Sequence, residues 1–280
     1  MKNSILYIFL GIIIFSCTNL ENGFEETTPK PVVEAYLIPG APISLSVHTE
    51  IPYSADSLAN KEKPVDGLKI TITGPKGSIS LVSKGNGLYV SQSIFLITVG
   101  SSYSFKFDYL GKQVSATTQI PTKPLKFTSN KTFISRQAID ISAGGRPQGG
   151  FGGGNNLDNN VLLTWENTTK DYYMSIIESI ETNPVEIIKF PVDPTRVRPN
   201  TRFRNQPIQG NSVEIRSQSF QYFGQHALIL FKLNSDYVAL YQRNGNTTQN
   251  ISTPPTTILN GLGIFTGINA DTIKIKVLPE

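Results

Sequence analysis

Cysteine is nearly absent from this chain of 280 residues: Cys17 is the only one, and histidine occurs only at His48 and His226. A single thiol closes no disulfide within the chain and builds no cysteine-type zinc site, so the folded part must hold through its core alone. The two histidines show no HExxH spacing, and no G-x-S-x-G elbow appears. We therefore expect no catalytic residues, no metal and no cofactor. The run Asn155 to Asn160 offers oxygen donors but too little charge for a calcium loop. Charged residues make up 16% of the chain and balance to +4. That balance lacks the concentrated basic stripe that nucleic acid requires, so no nucleic-acid partner is expected. After Phe15 no apolar run approaches the length of a membrane-crossing helix.

What is present is a succession of short β signals. Ile43, Leu45, Val47, Thr49 and Ile51 alternate with polar residues, as do Leu68-Ile70-Ile72 and Tyr103-Phe105-Phe107-Tyr109. That period of two is the mark of half-buried strands, and Gly74-Pro75, Gly85-Asn86-Gly87 and Leu110-Gly111 supply turns between them. The pattern predicts an all-β protein: an N-terminal immunoglobulin-like β-sandwich over residues 31–122, followed by a second β-rich domain over 123–280 with one short helix. Pro121-Thr122-Lys123-Pro124 reads as the linker. A Gly-rich loop falls at about 143–160, and Trp165, Tyr172–Ile177, Val185–Phe190, Val213–Phe220 and Ala227–Leu233 mark strands after it. Ser235 can cap the helix, with Tyr237, Leu240 and Tyr241 on one face and Gly245 ending it. A last strand is expected at Ile273, Ile275 and Val277, preceded by a glycine-rich turn.

Ile14-Phe15-Ser16-Cys17 ends a short apolar stretch that begins after Lys2. It resembles the lipobox of bacterial lipoproteins, in which the cysteine is acylated and the leader is removed ahead of it. The resemblance implies a signal peptide over 1–16, lipidation at Cys17 and attachment to a membrane through acyl chains. Residues 17–30 are polar and acidic, as a flexible tether would be. Three features together, the lipobox, the strand Pro31-Val32-Val33-Glu34-Ala35-Tyr36-Leu37, and Asn260-Gly261-Leu262-Gly263-Ile264-Phe265, resemble a Bacteroidota lipoprotein family catalogued only as a domain of unknown function. The family implies a surface-facing outer-membrane lipoprotein without established enzyme activity, often found beside TonB-dependent receptors. The expected function is thus a non-enzymatic accessory or substrate-capture partner of such a receptor. A cell-surface adhesin or glycan-binding module is the alternative.

The remaining candidates are surface contacts. Arg196, Arg198, Arg202 and Arg204 lie in a proline-interrupted stretch, and guanidinium forks there suit a phosphate, a carboxylate or an acidic partner. Asp56-Ser57-Leu58 resembles a short O-glycosylation acceptor pattern in that phylum, making Ser57 a candidate; Asp271-Thr272-Ile273 matches it less well, at the mouth of the last strand. Tyr222 and Phe223 are core residues by default, and contacts for a barrel or glycan if they face outward. His226 reads as a strand-end residue. Gly261 to Gly267 has a dinucleotide-like spacing with its third glycine one place late, and a strand rather than a helix follows. Its residues Asn260, Gly261, Leu262, Gly263 and Phe265 are read as structural, with Phe265 plugging the core.

Overall fold

The computed structural model describes residues 29–51, 62–92, 97–142, 159–191, 193, 195–242 and 255–280. The first half of the chain supplies β1 (Pro31–Leu37), β2 (Ser44–Thr49), β3 (Thr71–Gly74), β4 (Gly77–Ser80), β5 (Val82–Gly85), β6 (Leu88–Val90), β7 (Ser102–Tyr109) and β8 (Lys112–Gln119). The second supplies β9 (Leu125–Ser129), β10 (Phe133–Arg136), β11 (Ile139–Asp140), β12 (Val161–Glu166), β13 (Tyr172–Ser179), β14 (Val185–Glu186) and β15 (Ile188–Lys189). It ends with β16 (Arg202–Arg204), β17 (Ser212–Ile215), β18 (Tyr222–Leu233), the helix α1 (Ser235–Gln242) and β19 (Leu262–Pro279). Alternation in the sequence becomes alternation in space. Along β7, Tyr103, Phe105 and Phe107 are buried while Lys106 and Asp108 face water, because successive side chains of a strand point to opposite faces.

Two sandwiches are built on one shared sheet. A main path of β16-β13-β18-β19-β1-β2-β6-β5 runs through both. Its β1-β2-β6 end faces the sheet β4-β3-β7-β8, closing a core that includes Val33, Val47 and Tyr89 on one side and Ile72, Phe105 and Val114 on the other. Its β13-β18-β19 end faces the sheet β17-β12-β9, where Tyr173, Leu228, Leu230 and Ile275 meet Phe127, Val161, Leu163 and Trp165. The outer face of this second end is covered by α1, with Tyr237 and Val238 packed on Met174, Ile176 and Ile268. The chain is thus an all-β sandwich protein with one helix among the described residues.

β19 joins the two halves. Residues 262–267 run parallel to β1, from Leu262 opposite Val32 to Gly267 opposite Leu37. Residues 268–277 then run antiparallel to β18, from Ile268 opposite Leu233 to Val277 opposite Gly224. The strand expected at Ile273–Val277 therefore begins at Leu262, and Asp271 lies mid-strand opposite Leu230 rather than at its mouth. The turn before it is shorter than expected: Asn260 takes a left-handed φ of 55°, and its side chain donates to Gln113 O at 2.8 Å. Phe265 is fully buried in the first core, edge-on to Phe105 with ring centroids 4.9 Å apart.

The expected separation after residue 122 is crossed by this strand. Ile258 and Phe265 belong to the first core although they lie far beyond the linker in sequence. The linker itself is pinned down. Asn269 Nδ2 donates to Pro121 O at 3.0 Å, Lys123 Nζ pairs with Asp271 at 2.8 Å, and Lys232 Nζ donates to Thr122 at 3.0 Å. At the crossing the two halves come into backbone contact: a Cβ on Gly267 would stand 2.5 Å from Gln119 O. The Asn234 amide sits beside it, donating to Gln119 O at 2.8 Å and Gly267 O at 3.2 Å. Such a satisfied polar junction in a protected place fixes one relative arrangement of the groups it joins.

Other expectations shift for the same reason, pairing on both edges. β18 pairs with β13 from His226 to Leu233, with β19 from Gly224 to Leu233 and with β14 at Tyr222 and Phe223, and so extends back through Gly224 and Gln225, which interrupt the apolar pattern. This places Tyr222 and His226 inside the protein, 2% exposed each, and leaves Phe223 half-buried against the second core. Tyr222 is no surface contact. The strand expected over Val213–Phe220 stops at Ile215 and gives way to a 3-10 turn over Ser217–Ser219.

Candidate functional site

Residues 201–215 form one edge of the second sandwich and change sheets part-way along. Ser179 N donates to Thr201 O at 2.8 Å, Asn205 N to Ser175 O at 3.0 Å, and Ile208 and Tyr173 exchange two bonds of 2.8 Å. This stretch follows the free edge of β13. Trp165 N then donates to Asn211 O at 2.9 Å, and β17 pairs with β12 in the facing sheet. Between the two legs lies a surface groove of about 620 Å³. Asn200, Arg202, Phe203 and Asn205 line one wall, and Glu214, Ile215 and Arg216 the other. Gln218, Ser219 and Gln221 of the 3-10 turn and its exit complete it. Phe203, which shares a register with Ile177 of the core-facing set, is nevertheless 45% exposed in this mouth.

The walls are held from behind. The Tyr222 hydroxyl donates to Pro199 O at 2.5 Å. The Arg136 guanidinium donates to Ser217 O and, at 3.3 Å, to Phe220 O, fixing the turn. Asn160 donates to Glu214 at 2.7 Å and accepts from Ser217 N at 3.1 Å. A site whose rim is fixed before binding loses little entropy on taking a ligand.

The four arginines singled out in the sequence are dispersed. Arg196 pairs with Glu186 at 2.5 Å and lies 4.5 Å over the Phe190 ring, and Arg198 approaches the same carboxylate at 3.7 Å. Arg202 lies 3.8 Å from Glu178 and reaches the groove. Arg204 points to the other face of the sheet, donating to the Tyr241 hydroxyl at 3.1 Å. They make no common anion clamp. Arg216, which the sequence reading passed over, is the second guanidinium of the groove. Its position two residues after the alternating Glu214 would have flagged it only if the change of sheets had been foreseen.

Behind Arg204 stands a tyrosine cluster that fastens α1 to the sheet. The Tyr241 and Tyr237 hydroxyls are 3.2 Å apart, Tyr237 meets Tyr36 edge-on at 5.9 Å, and the Tyr36 hydroxyl donates to Glu34 at 2.9 Å. Burial, reinforced by the bond to Tyr241, pushes the Tyr237 phenol up to about 12. Burial and the Glu34 carboxylate raise that of Tyr36. Burial acts upward on Tyr241 too, but bonds from Tyr237 and Arg204 outweigh it and lower its pKa. At neutral pH Tyr36 and Tyr237, both raised above the ordinary phenol range, are uncharged fasteners.

His226 is enclosed in the second core, edge-on to Phe220 with centroids 5.2 Å apart and its Nδ1 3.2 Å from Gly224 O. Burial lowers its pKa, against smaller opposing effects from Gly224 and Glu181. The unfolded chain then binds the proton more readily, so this residue favours folding above the ordinary histidine range and withdraws that support as pH falls below about 6.5. Thermal melts at pH 7 and pH 5 should show a loss of stability on acidification that is smaller in His226→Gln. An equal loss in both proteins would assign the acid sensitivity elsewhere. Among the described residues no three His, Cys, Asp or Glu side chains gather as metal ligands.

The residues of the Asn260–Phe265 motif are accounted for by close packing. Gly263 has φ +99°, and a Cβ on it would lie 2.0 Å from Val33 O; one on Gly261 would lie 3.1 Å from Pro31 O. Cys17, Ser57 and residues 155–158 lie outside the described residues, as does Gly245, the expected end of α1.

No curated protein matches the chain. Similar solved structures include a two-domain fibronectin type-III segment of chicken tenascin, at 9% identity over 88% of this chain and 99% of that one, with a TM-score of 0.23. The BSP domain of a biofilm-associated protein is 12% identical over 89% of this chain and 29% of that one, with a TM-score of 0.22. A Salmonella alpha-2-macroglobulin mutant is 10% identical over 90% and 16%, with a TM-score of 0.20. Scores this low define no shared architecture. The sequence itself is decisive: the model of a family described as a domain of unknown function (DUF4249) matches residues 18–274, and the chain belongs to that family.

Proposed function

We propose that this protein is a lipid-anchored, non-enzymatic binding protein of the outer membrane, facing the cell surface, that captures a substrate for a TonB-dependent receptor. The observation that carries the reading is Ile14-Phe15-Ser16-Cys17, a lipobox-like motif ahead of the first described strand, which begins at Pro31. Several acyl chains on one cysteine, at about 0.8 kcal/mol per buried methylene, hold such a domain on a membrane without any spanning segment. The non-catalytic part of the reading draws on His226, which is enclosed beside Phe220 of the second core and 2% exposed. The pinned linker supports it as well, since a rigid two-sandwich body suits docking better than closure around a substrate.

The test is fractionation. After mild detergent extraction the intact protein should copurify with a barrel receptor, and Cys17→Ala should move to the soluble fraction and lose that partner. A Cys17→Ala protein that stays equally membrane-bound would defeat the anchoring, and a solitary monomer from the intact chain would defeat the partnership. The second reading, a surface adhesin or glycan-binding module, is favoured by one observation, the exposed Phe203 in the groove.

A further inference from the structure

We infer that the groove between β16 and β17 is a binding site for oligosaccharides that carry a carboxylate, such as uronic or sialic acids. The inference deepens the capture role above and rests on it only for its biological setting. A volume of about 620 Å³ lies within the roughly 300–1,000 Å³ range of sites for small ligands. The lining has two chemistries side by side. Phe203 offers an exposed ring to an apolar C–H face, while the Gln218 amide can pair with vicinal hydroxyls; the Asn200 oxygen already accepts from Arg202 N and the Gln221 nitrogen already donates to Gln218 O, leaving one amide atom of each for a ligand. A sugar presents both faces at once; an apolar ligand presents one.

The charge in the groove selects among sugars. Arg216 stands beside one carboxylate, Glu214, which Asn160 already engages at 2.7 Å, while Arg202 lies 3.8 Å from Glu178. The Arg216 guanidinium has no partner among the described residues, so its fork is available. A guanidinium takes a carboxylate in a planar, bidentate manner.

An extended peptide adding to the β16 or β17 edge is the rival occupant, and the hydrogen bonding disfavours it. Because Thr201 and Asn205 bond to β13, Arg202 turns its N–H away from that strand, where a new strand would need it. That N–H is already taken by Asn200 Oδ1 at 2.9 Å. Beyond β17, Ser217 N is taken by Asn160 Oδ1 at 3.1 Å. Side-chain amides thus take one outward backbone donor at each wall, which weakens strand addition there.

An array carrying uronic- and sialic-acid oligosaccharides beside their neutral counterparts, probed with the full-length detergent-solubilised protein, tests this directly. Retention should be confined to the acidic members. For the best of them, titration should show affinity falling about tenfold in Arg216→Gln and in Phe203→Ala, the loss expected for one charged contact or one stacking ring. Both positions are exposed, and an unchanged Trp165 fluorescence transition will confirm that each variant is folded. Retention of neutral and acidic sugars alike, no retention at all, or affinity unaffected by either substitution would overturn the site. So would selective binding of acidic extended peptides on the same surface. Membrane attachment and receptor copurification are read separately, so a groove without glycan affinity leaves the anchoring and partnership tests intact.

Discussion

Replacing Phe265 by alanine will lower the thermal midpoint by on the order of 10 °C, and the loss will be reported from the opposite half of the molecule. Phe265 is fully buried in the first core and meets Phe105 edge-on. Truncating such a ring removes its transfer energy and leaves a cavity, together about 3–5 kcal/mol. In a protein of this size each kcal/mol moves the midpoint by about 2–4 °C. The useful reporter is Trp165, the single tryptophan, which lies in the second core beside Tyr173 at 5.4 Å. Because β19 continues from one core into the other without a break, the sandwiches should unfold together, and fluorescence should shift as far as far-UV circular dichroism does. A Trp165 transition that stays in place while the dichroism signal moves would show two independently folding halves.

Gly263→Ala should be at least as damaging, by about 3 kcal/mol or more, although it adds one methyl group. Two penalties coincide there. The backbone holds φ at +99°, which an alanine adopts only with strain, and the new Cβ would stand 2.0 Å from Val33 O. A backbone oxygen within a paired strand cannot step aside as a flexible side chain could. Gly40 separates the two effects: its φ is +81°, but nothing lies within 4 Å of a Cβ placed on it. Gly40→Ala should therefore lose only about 1 kcal/mol in urea unfolding. Equal losses at the two positions would mean that close approach to β1 contributes nothing.

The difference between what the sequence revealed and what it concealed follows the range of the interactions. β7 and β8 were legible because each carries its alternation within eight residues and a tight turn joins them. The buried role of Phe265 was also legible, since an aromatic after two glycines has few other uses. The start of β19 was not. Its glycines suppress the apolar pattern, and its partner Val32 lies roughly 230 positions away from Leu262. The groove was hidden for a related reason: Phe203 and Arg216 become neighbours of one cavity only after the chain leaves β13 and joins β12. Four nearby arginines suggested a single cluster, but alternation along β16 sends Arg204 to the helix face while Phe203 faces the mouth. Resemblance alone drew attention to Asn260–Phe265; the approach of Gly263 to Val33 O is what the structure shows to constrain that segment.

The placement of β1 between β2 and the leading segment of β19 has a consequence for biogenesis. During synthesis, β1 emerges early and can pair with β2, yet its other edge stays open until residues 262–267 leave the ribosome. Completing the first core must wait as well, since Phe265 arrives with that same segment. The first core of the nascent chain therefore stays incomplete until synthesis is nearly finished.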